Sequence, residues 1–390
     1  MRKRIFVVES GAVARPPCLI SLPLEIQATD PITAVEVRVN GKPAPSELLH
    51  HPDGATIQVL LLCDRMAVGE ERLVDVILPD SAEAVREAST NAVEVENHGD
   101  HVDFTIGGEL FTTYHYHTGL ARPCFHPLNA AGGLSVVRGW PMQDAIEGES
   151  KDHPHHRGLW VAHGEVNGVD NWSEAPNHAW TRHTHFGSLR SGPVRGHMDA
   201  RSTWTAPDGT ELLEETRQVN IFALPDGSRI LEVDTHLLAH AGAVTFGDTK
   251  EGGLCSIRVA STMDASSGGR IENAAGRVGE KQAWGKRSDW CDYSGPVSGQ
   301  TVGVAIMDHP ENFRHPTYWH VRDYGLMTAN PFGVAAFTGD SSESGAHTLA
   351  EGESLLFRYR VLVHRGVPSE ADVAGHYRNW IDPPRVTPKA

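Results

Sequence analysis

The sequence predicts an all-β protein: a small N-terminal β-sandwich over residues 1–88, then a larger unit over 89–390 built from antiparallel sheets packed face to face, with few short helices. Three observations carry this. Apolar and polar residues alternate with the period of a half-buried strand in many short runs, turn-forming residues separate the runs, and only one stretch has helical periodicity. At 390 residues the chain exceeds one ordinary domain, and a norm of roughly 150 residues per domain favours two units, one of them large.

In the first unit Val35, Val37 and Val39 point one way while Glu36 and Arg38 point the other. Further strands are expected over 18–26, 56–62 and 73–78. Asn40-Gly41-Lys42-Pro43 and Pro52-Asp53-Gly54 supply turns, and 80–89 reads as a short helix and linker.

From Val93 onward strands are expected over 101–106, 110–116, 159–165, 179–189, 211–221, 229–240 and 355–363. In the last, Phe357, Tyr359, Val361 and Val363 form one face, and Arg358 and Arg360 the other. Pro207-Asp208-Gly209, Pro225-Asp226-Gly227 and Ser266-Ser267-Gly268-Gly269 break the runs. Only 369–380 spaces Val373, Tyr377 and Trp380 for one helical face. Many strands without alternating helices argue for two large antiparallel sheets rather than a parallel α/β fold.

Composition narrows the function. With 50 acidic against 34 basic side chains, net −16, the surface repels phosphate backbones, and no basic stripe offsets this, so nucleic acid is not an expected partner. No apolar run approaches the roughly 18 residues of a membrane helix. Residues 1–9 have a basic start but too few apolar residues before Glu9 for a signal-peptide core. A cytoplasmic location away from the membrane is the expectation. Cys18, Cys63, Cys124, Cys255 and Cys291 are scattered, with no CxxC spacing, and read as reduced, mostly buried thiols.

The 23 histidines direct attention to the middle of the chain. Asp152-His153-Pro154-His155-His156-Arg157-Gly158 is a stiff polar loop whose imidazoles suit proton transfer or metal binding, and whose Arg157 offers a fork for a carboxylate or carbonyl. In the following strand His163 and Glu165 share a face, as an acid/base couple would. Asn167, Asp170, Asn171, Trp172 and Glu174 surround an indole with planar polar groups, a combination suited to pyranose rings. Lys250 and Glu251 within Asp248-Thr249-Lys250-Glu251-Gly252-Gly253 pair opposite charges. Trp290, Asp292 and Tyr293 form a third cluster. Tyr318, His320 and Arg322 share the outer face of a fourth segment, with Trp319 and Val321 turned to the core. His115 with His117, and His183 with His185, have metal-ligand spacing on a strand, so a divalent metal is an open option without an assigned site. The local signatures of dinucleotide, P-loop, zincin and nucleophile-elbow chemistry are absent.

Arg122-Pro123-Cys124-Phe125-His126-Pro127-Leu128, the 152–160 segment, Asp248-Thr249-Lys250-Glu251-Gly252 and Asn330-Pro331-Phe332-Gly333 together resemble a bacterial family of unassigned function labelled PmoA-like. The label refers to a subunit of a multi-spanning methane monooxygenase, and this chain has no apolar run of that length. The resemblance implies a supersandwich similar to galactose mutarotase-like proteins, whose open sheet face binds carbohydrate, and a place in keto-sugar catabolism.

The expected function is therefore a carbohydrate-processing enzyme acting on a sugar, keto-sugar or glycoside as a lyase, hydrolase or epimerase. His153, His156, His163, Glu165 and Lys250 are the expected catalytic groups. Arg157, Asn171, Trp172, Glu251, Trp290, Asp292, Tyr293, His320 and Arg322 are the expected substrate contacts. The alternatives are a non-catalytic carbohydrate-binding protein and a metal-dependent oxygenase with converging histidines and a carboxylate.

Overall fold

A computed structural model describes residues 2–25, 35–50, 56–78, 92–144 and 146–389. The expected Pro52-Asp53-Gly54 turn and the 80–89 helix and linker lie outside the described residues. Within them the chain is mostly β, with antiparallel pairing throughout and three short helices. None of these helices is long and apolar enough to cross a membrane.

Two large sheets dominate. One has nine strands, running in order from Tyr318–Val321 through Leu326–Asn330, Gly252–Arg258, Leu159–His163, Cys124–Ala130, Glu109–His115 and His101–Ile106 to Val93–Asn97, with Leu134–Ser135 paired off this path. The other has eight, from Trp180–Arg190 at one edge to Arg270–Asn273 at the other.

Register explains how the nine-stranded sheet divides its faces. Residues paired across adjacent strands project from one face, and alternation sends the next residue to the other. Val102, Tyr114, Phe125, Leu159, Ile257, Met327 and Val321 follow one another across the sheet. All of them lie in the main core. Trp204, Val219, Val233, Val304 and Val361 of the facing sheet join the same core. One step along each strand, the opposite face carries His101, His115, Cys124, Trp160, Ser256, Thr328 and His320 in a matching row. One face is apolar and buried, and the other is largely polar.

The eight-stranded sheet is covered on its second face as well. Phe222, Ile230, Met307 and Leu362 pack there against Leu60 and Leu62 of the Thr56–Cys63 strand and against Val373 and Tyr377 of the Val373–Ile381 helix. That helix starts later than the sequence suggests because Asp372, at φ 52°, caps it by accepting a bond from the Gly375 N–H. Ile57, Val59 and Leu61 of the same strand turn the other way, into the core of the small sandwich. The second face of the nine-stranded sheet is instead covered by loops, under which Cys124, Trp160, Ser256, Thr328 and His320 are buried while His101 and His115 stay half-buried.

The small sandwich differs from its expected limits. Its five-stranded sheet runs Arg385–Lys389, Arg2–Glu9, Glu71–Leu78, Glu36–Val39, Lys42–Ala44. The chain's last strand therefore returns to pair with its first, Val7 opposite Thr387. A division of the chain into 1–88 and 89–390 misses this, because strand pairing is not local in sequence.

All five cysteines are free and buried, as expected.

Candidate functional site

Two buried arginines build the site on this loop-covered face. Arg258, at the end of a strand, and Arg138, at the start of the loop that covers the face, are both fully buried, and both bond Asp152 Oδ1, at 2.8 and 2.6 Å. Arg138 also donates to the carbonyls of Trp140 at 2.9 Å and His153 at 3.0 Å. Arg258 reaches Ser150 Oγ at 3.1 Å and His156 Nδ1 at 3.3 Å. Gly158, at φ 65°, then lets the loop re-enter the sheet where a Cβ would run into the Phe125 carbonyl.

The loop so held stacks four rings from the surface down to the sheet. Tyr324 lies on His153 at 5.0 Å between centroids, His153 on His156 at 4.8 Å, and His156 on Trp160 at 5.2 Å, with interplanar angles of 11°, 7° and 21°. Trp172 meets His155, His156 and Trp160 at steeper angles.

Because a guanidinium can only donate, His156 Nδ1 must accept, which leaves the proton on Nε2. Burial, with the charges of Arg258 and Arg138, holds its pKa far below the ordinary range. His156 is a neutral, oriented donor.

His155, half-buried at the rim, is pushed down to about 4, first by burial and then by Arg122. It is neutral at pH 7 and can accept a proton. Burial pushes Glu251 up, but its bond with Lys250 and the proximity of His320 and His155 pull it below the usual carboxylate range. Lys250 and Glu251 are ion-paired, each side chain a little over 40% exposed at 43% and 44%.

His320 lies beneath them. Its Nδ1 donates to the Lys250 carbonyl at 2.8 Å, leaving a buried Nε2 with no partner. Asn330 Nδ2 bonds the Thr249 carbonyl at 2.9 Å, and Asn330 Oδ1 accepts from Phe332 and Gly333. Asp248 Oδ2 accepts from Ala335 and Gly345. The Asp248–Gly252 and Asn330–Gly333 motifs therefore form one scaffold under the Lys250–Glu251 pair.

Several sequence expectations are corrected. His163 faces the inter-sheet core, packed on Phe246 and Phe332, with Nε2 bonded to the Gly247 carbonyl at 2.9 Å. Glu165 lies beyond the strand end and is exposed. They form no acid/base couple, because the strand stops at His163 and alternation has already sent that residue inward. Arg157 has no free fork: Nε and Nη2 hold the two oxygens of Glu174 at 2.9 and 2.7 Å. Trp172 is buried under the histidines rather than offered as a platform, and Asn171 is buried with neither amide atom partnered.

Trp290, Asp292 and Tyr293 belong to the other sheet. Trp290 packs towards the small sandwich, Asp292 pairs with His364 at 2.7 Å, and Tyr293 fills the main core. Arg322 lies just past its strand, paired with Glu280 at 2.9 Å. The inward positions of Trp319 and Val321 are as expected. Neither HxH pair gathers ligands: His115 Nε2 bonds the His126 carbonyl at 2.8 Å, and a bulge separates His183 from His185.

The site therefore gathers His153, His156, Lys250, Glu251 and His320 from the expected residues, and adds His155, Tyr324, Arg138 and Arg258. Ser256 and Arg258 alternate with Cys255 and Ile257, a signal in the sequence that Arg258 shares a face with Ser256. A cleft of about 840 Å3 adjoins the covering loop, lined by Asn129, Ser135, Gln143, Glu149, Thr262 and others, with no imidazole or cation in its described lining. Glu149 there already accepts from the Gly139 and Trp140 N–H groups. Acid/base chemistry is concentrated on the loop-covered sheet face instead.

No curated protein matches the chain. A family model matches residues 101–378, which include the whole of the site just described, and the chain therefore belongs to that family, a family of unknown function (DUF6807).

Proposed function

We propose that the protein is a carbohydrate-processing enzyme that moves a proton on a sugar or keto-sugar at the loop-covered face of the nine-stranded sheet. The observation that carries the reading is the neutral His155 imidazole, half-buried within electrostatic reach of the ionised Glu251 and set edge-on against His153 and His156 of the ring column, at 5.8 and 4.5 Å between centroids. His155 or Glu251 accepts the proton. Lys250, freed from Glu251 by a substrate, stabilises the oxyanion that develops on a neighbouring carbonyl.

A keto group fits this set, because it acidifies the adjacent C–H enough for a weak base to remove the proton. Tyr324, half-buried and stacked on His153, offers an aromatic edge to a pyranose ring.

The test is incubation with a panel of glycosides and their 3-keto forms, with and without chelator, followed by mass spectrometry. Turnover should fall at least about 100-fold in Glu251→Gln and in His155→Asn, the usual scale for a lost acid/base group. Saturable sugar binding without conversion of any panel member would refute the enzyme and leave a carbohydrate-binding protein.

A further inference from the structure

The strands Val93–Asn97 and His101–Ile106 form a hairpin at the edge of the nine-stranded sheet. Its turn and the strand that follows carry three donor groups that the chemistry above does not use. His98, His101 and Asp103 each offer a ligand atom, and the three atoms lie within 4.8 Å of one another.

Strand alternation places His101 and Asp103 on the same face. The turn folds His98 over them, its N–H bonded to the His101 carbonyl at 2.9 Å. The two imidazoles stack at 4.7 Å between centroids and 22° between planes.

Each group within the strand is held by a further partner. Asp100 Oδ1 lies 2.5 Å from His101 Nδ1, which places that ring's proton on Nδ1 and leaves the Nε2 lone pair free, 4.0 Å from Asp103 Oδ1. Thr113 Oγ1 donates to Asp103 Oδ1 at 2.6 Å, so Oδ2 faces His98 Nε2 at 3.5 Å. A carboxylate behind the ligating histidine and a hydroxyl behind the ligating carboxylate are the outer groups that orient metal ligands. Glu96 Oε2, 3.9 Å from His98 Nε2, stands beside the set.

We propose that His98 Nε2, His101 Nε2 and an Asp103 oxygen bind a divalent transition-metal cation of the zinc class. Two imidazoles with one carboxylate suit such an ion and not magnesium or calcium, which take oxygen ligands. With bonds of about 2.1 Å, tetrahedral donors stand about 3.4 Å apart, and the three donor atoms, now within 4.8 Å of one another, reach that spacing when His98, in its exposed turn, rotates out of its stack on His101 so that both Nε2 lone pairs aim at one ion. Three protein ligands leave a fourth position for water, Glu96 or an outside ligand.

The cation would not serve the proposed proton chemistry directly. His101, His115, Cys124 and Trp160 are successive partners across the sheet. Three interstrand steps of about 4.8 Å separate the hairpin from the ring column by about 14 Å. The site is a second one, and it fastens the edge hairpin.

The full-length protein, stripped with chelator and dialysed, is titrated with zinc by calorimetry and with cobalt by visible absorption. One equivalent of zinc with micromolar or tighter affinity is expected, together with cobalt bands typical of a low-coordinate site. His98→Gln and Asp103→Asn should each weaken binding at least tenfold and remove the bands, whereas His185→Gln, on an exposed strand elsewhere, should change neither. His98 lies in an exposed turn, so its variant decides the matter if Asp103→Asn fails to fold by circular dichroism. Absence of saturable zinc binding below 100 µM overturns the site, as does unchanged stoichiometry and affinity in a folded His98→Gln chain.

Discussion

Replacing Arg258 with methionine tests whether the covering loop depends on two buried cations. Arg258→Met removes the bonds to Asp152 Oδ1, Ser150 Oγ and His156 Nδ1, and the stacking of the guanidinium over Tyr324 at 4.8 Å. Hydrogen bonds to charged groups contribute about 1.5–3 kcal/mol each, so three amount to roughly 4–9 kcal/mol. Against this, the variant no longer desolvates a guanidinium, a term of several kcal/mol. Asp152 also keeps Arg138 at 2.6 Å. A net loss of about 3 kcal/mol results, the lower end of the range for a broken buried ion pair.

A second effect is specific to the loop. Without Arg258 nothing donates to His156 Nδ1, and one of the charges that depress its pKa is gone. Urea denaturation measures the first effect, and 15N spectra of the imidazoles measure the second. A loss under about 1 kcal/mol, with His156 still protonated only on Nε2, would falsify the two-arginine account of the loop.

Three further outcomes follow from buried groups. His126 and His163 are each pushed down to about 4 by burial, against about 6.5 in an unfolded chain, so the stability they contribute is complete above pH 6.5 and is lost as pH falls through 4, about 3 kcal/mol for each; a urea midpoint that stays constant from pH 7 to 4.5 contradicts this. A Cβ on Gly253 would fall on the Thr328 hydroxyl and crowd that of Ser256, so Gly253→Ala should cost about 1–3 kcal/mol and Thr328→Ala in the same chain should recover part of it; thermal unfolding without such recovery counts against the contact. Asp292→Ala leaves His364 buried without its carboxylate partner and should cost about 3–5 kcal/mol by chemical denaturation, whereas a cost below 1 kcal/mol means the pair is not closed in solution.

The distinction between legible and hidden features is clearest in single strands. Over 318–321, alternation correctly sends Trp319 and Val321 to the inter-sheet core and His320 to the opposite face, where it is buried under the Lys250 segment, because a strand pairing in a sheet turns successive side chains to opposite faces. Over 159–163 the same alternation places Leu159, Val161 and His163 on one face, and what the pattern lacks is which face meets the core. Leu159 and Val161 turn inward, so His163 goes with them and leaves the site. Arg157 illustrates a different gap: its fork is visible in the sequence, but its partner Glu174 is 17 residues away in a loop. The Trp290–Tyr293 cluster has suitable chemistry and sits in the wrong sheet.

Periodicity, turn residues and composition determined an all-β chain with buried, free cysteines and a histidine-rich loop, because each of these depends on neighbours within a few residues. Which polar residues converge was decided only by tertiary structure. Strand order places Trp160 beside Ser256 and Thr328 beside His320, and Arg138 and Arg258 tie a distant loop to that face. The physical reason is that a site on a sheet is assembled across strands, through pairings between segments up to more than a hundred residues apart, and the spacing of residues along one strand carries no record of which strand lies next to it.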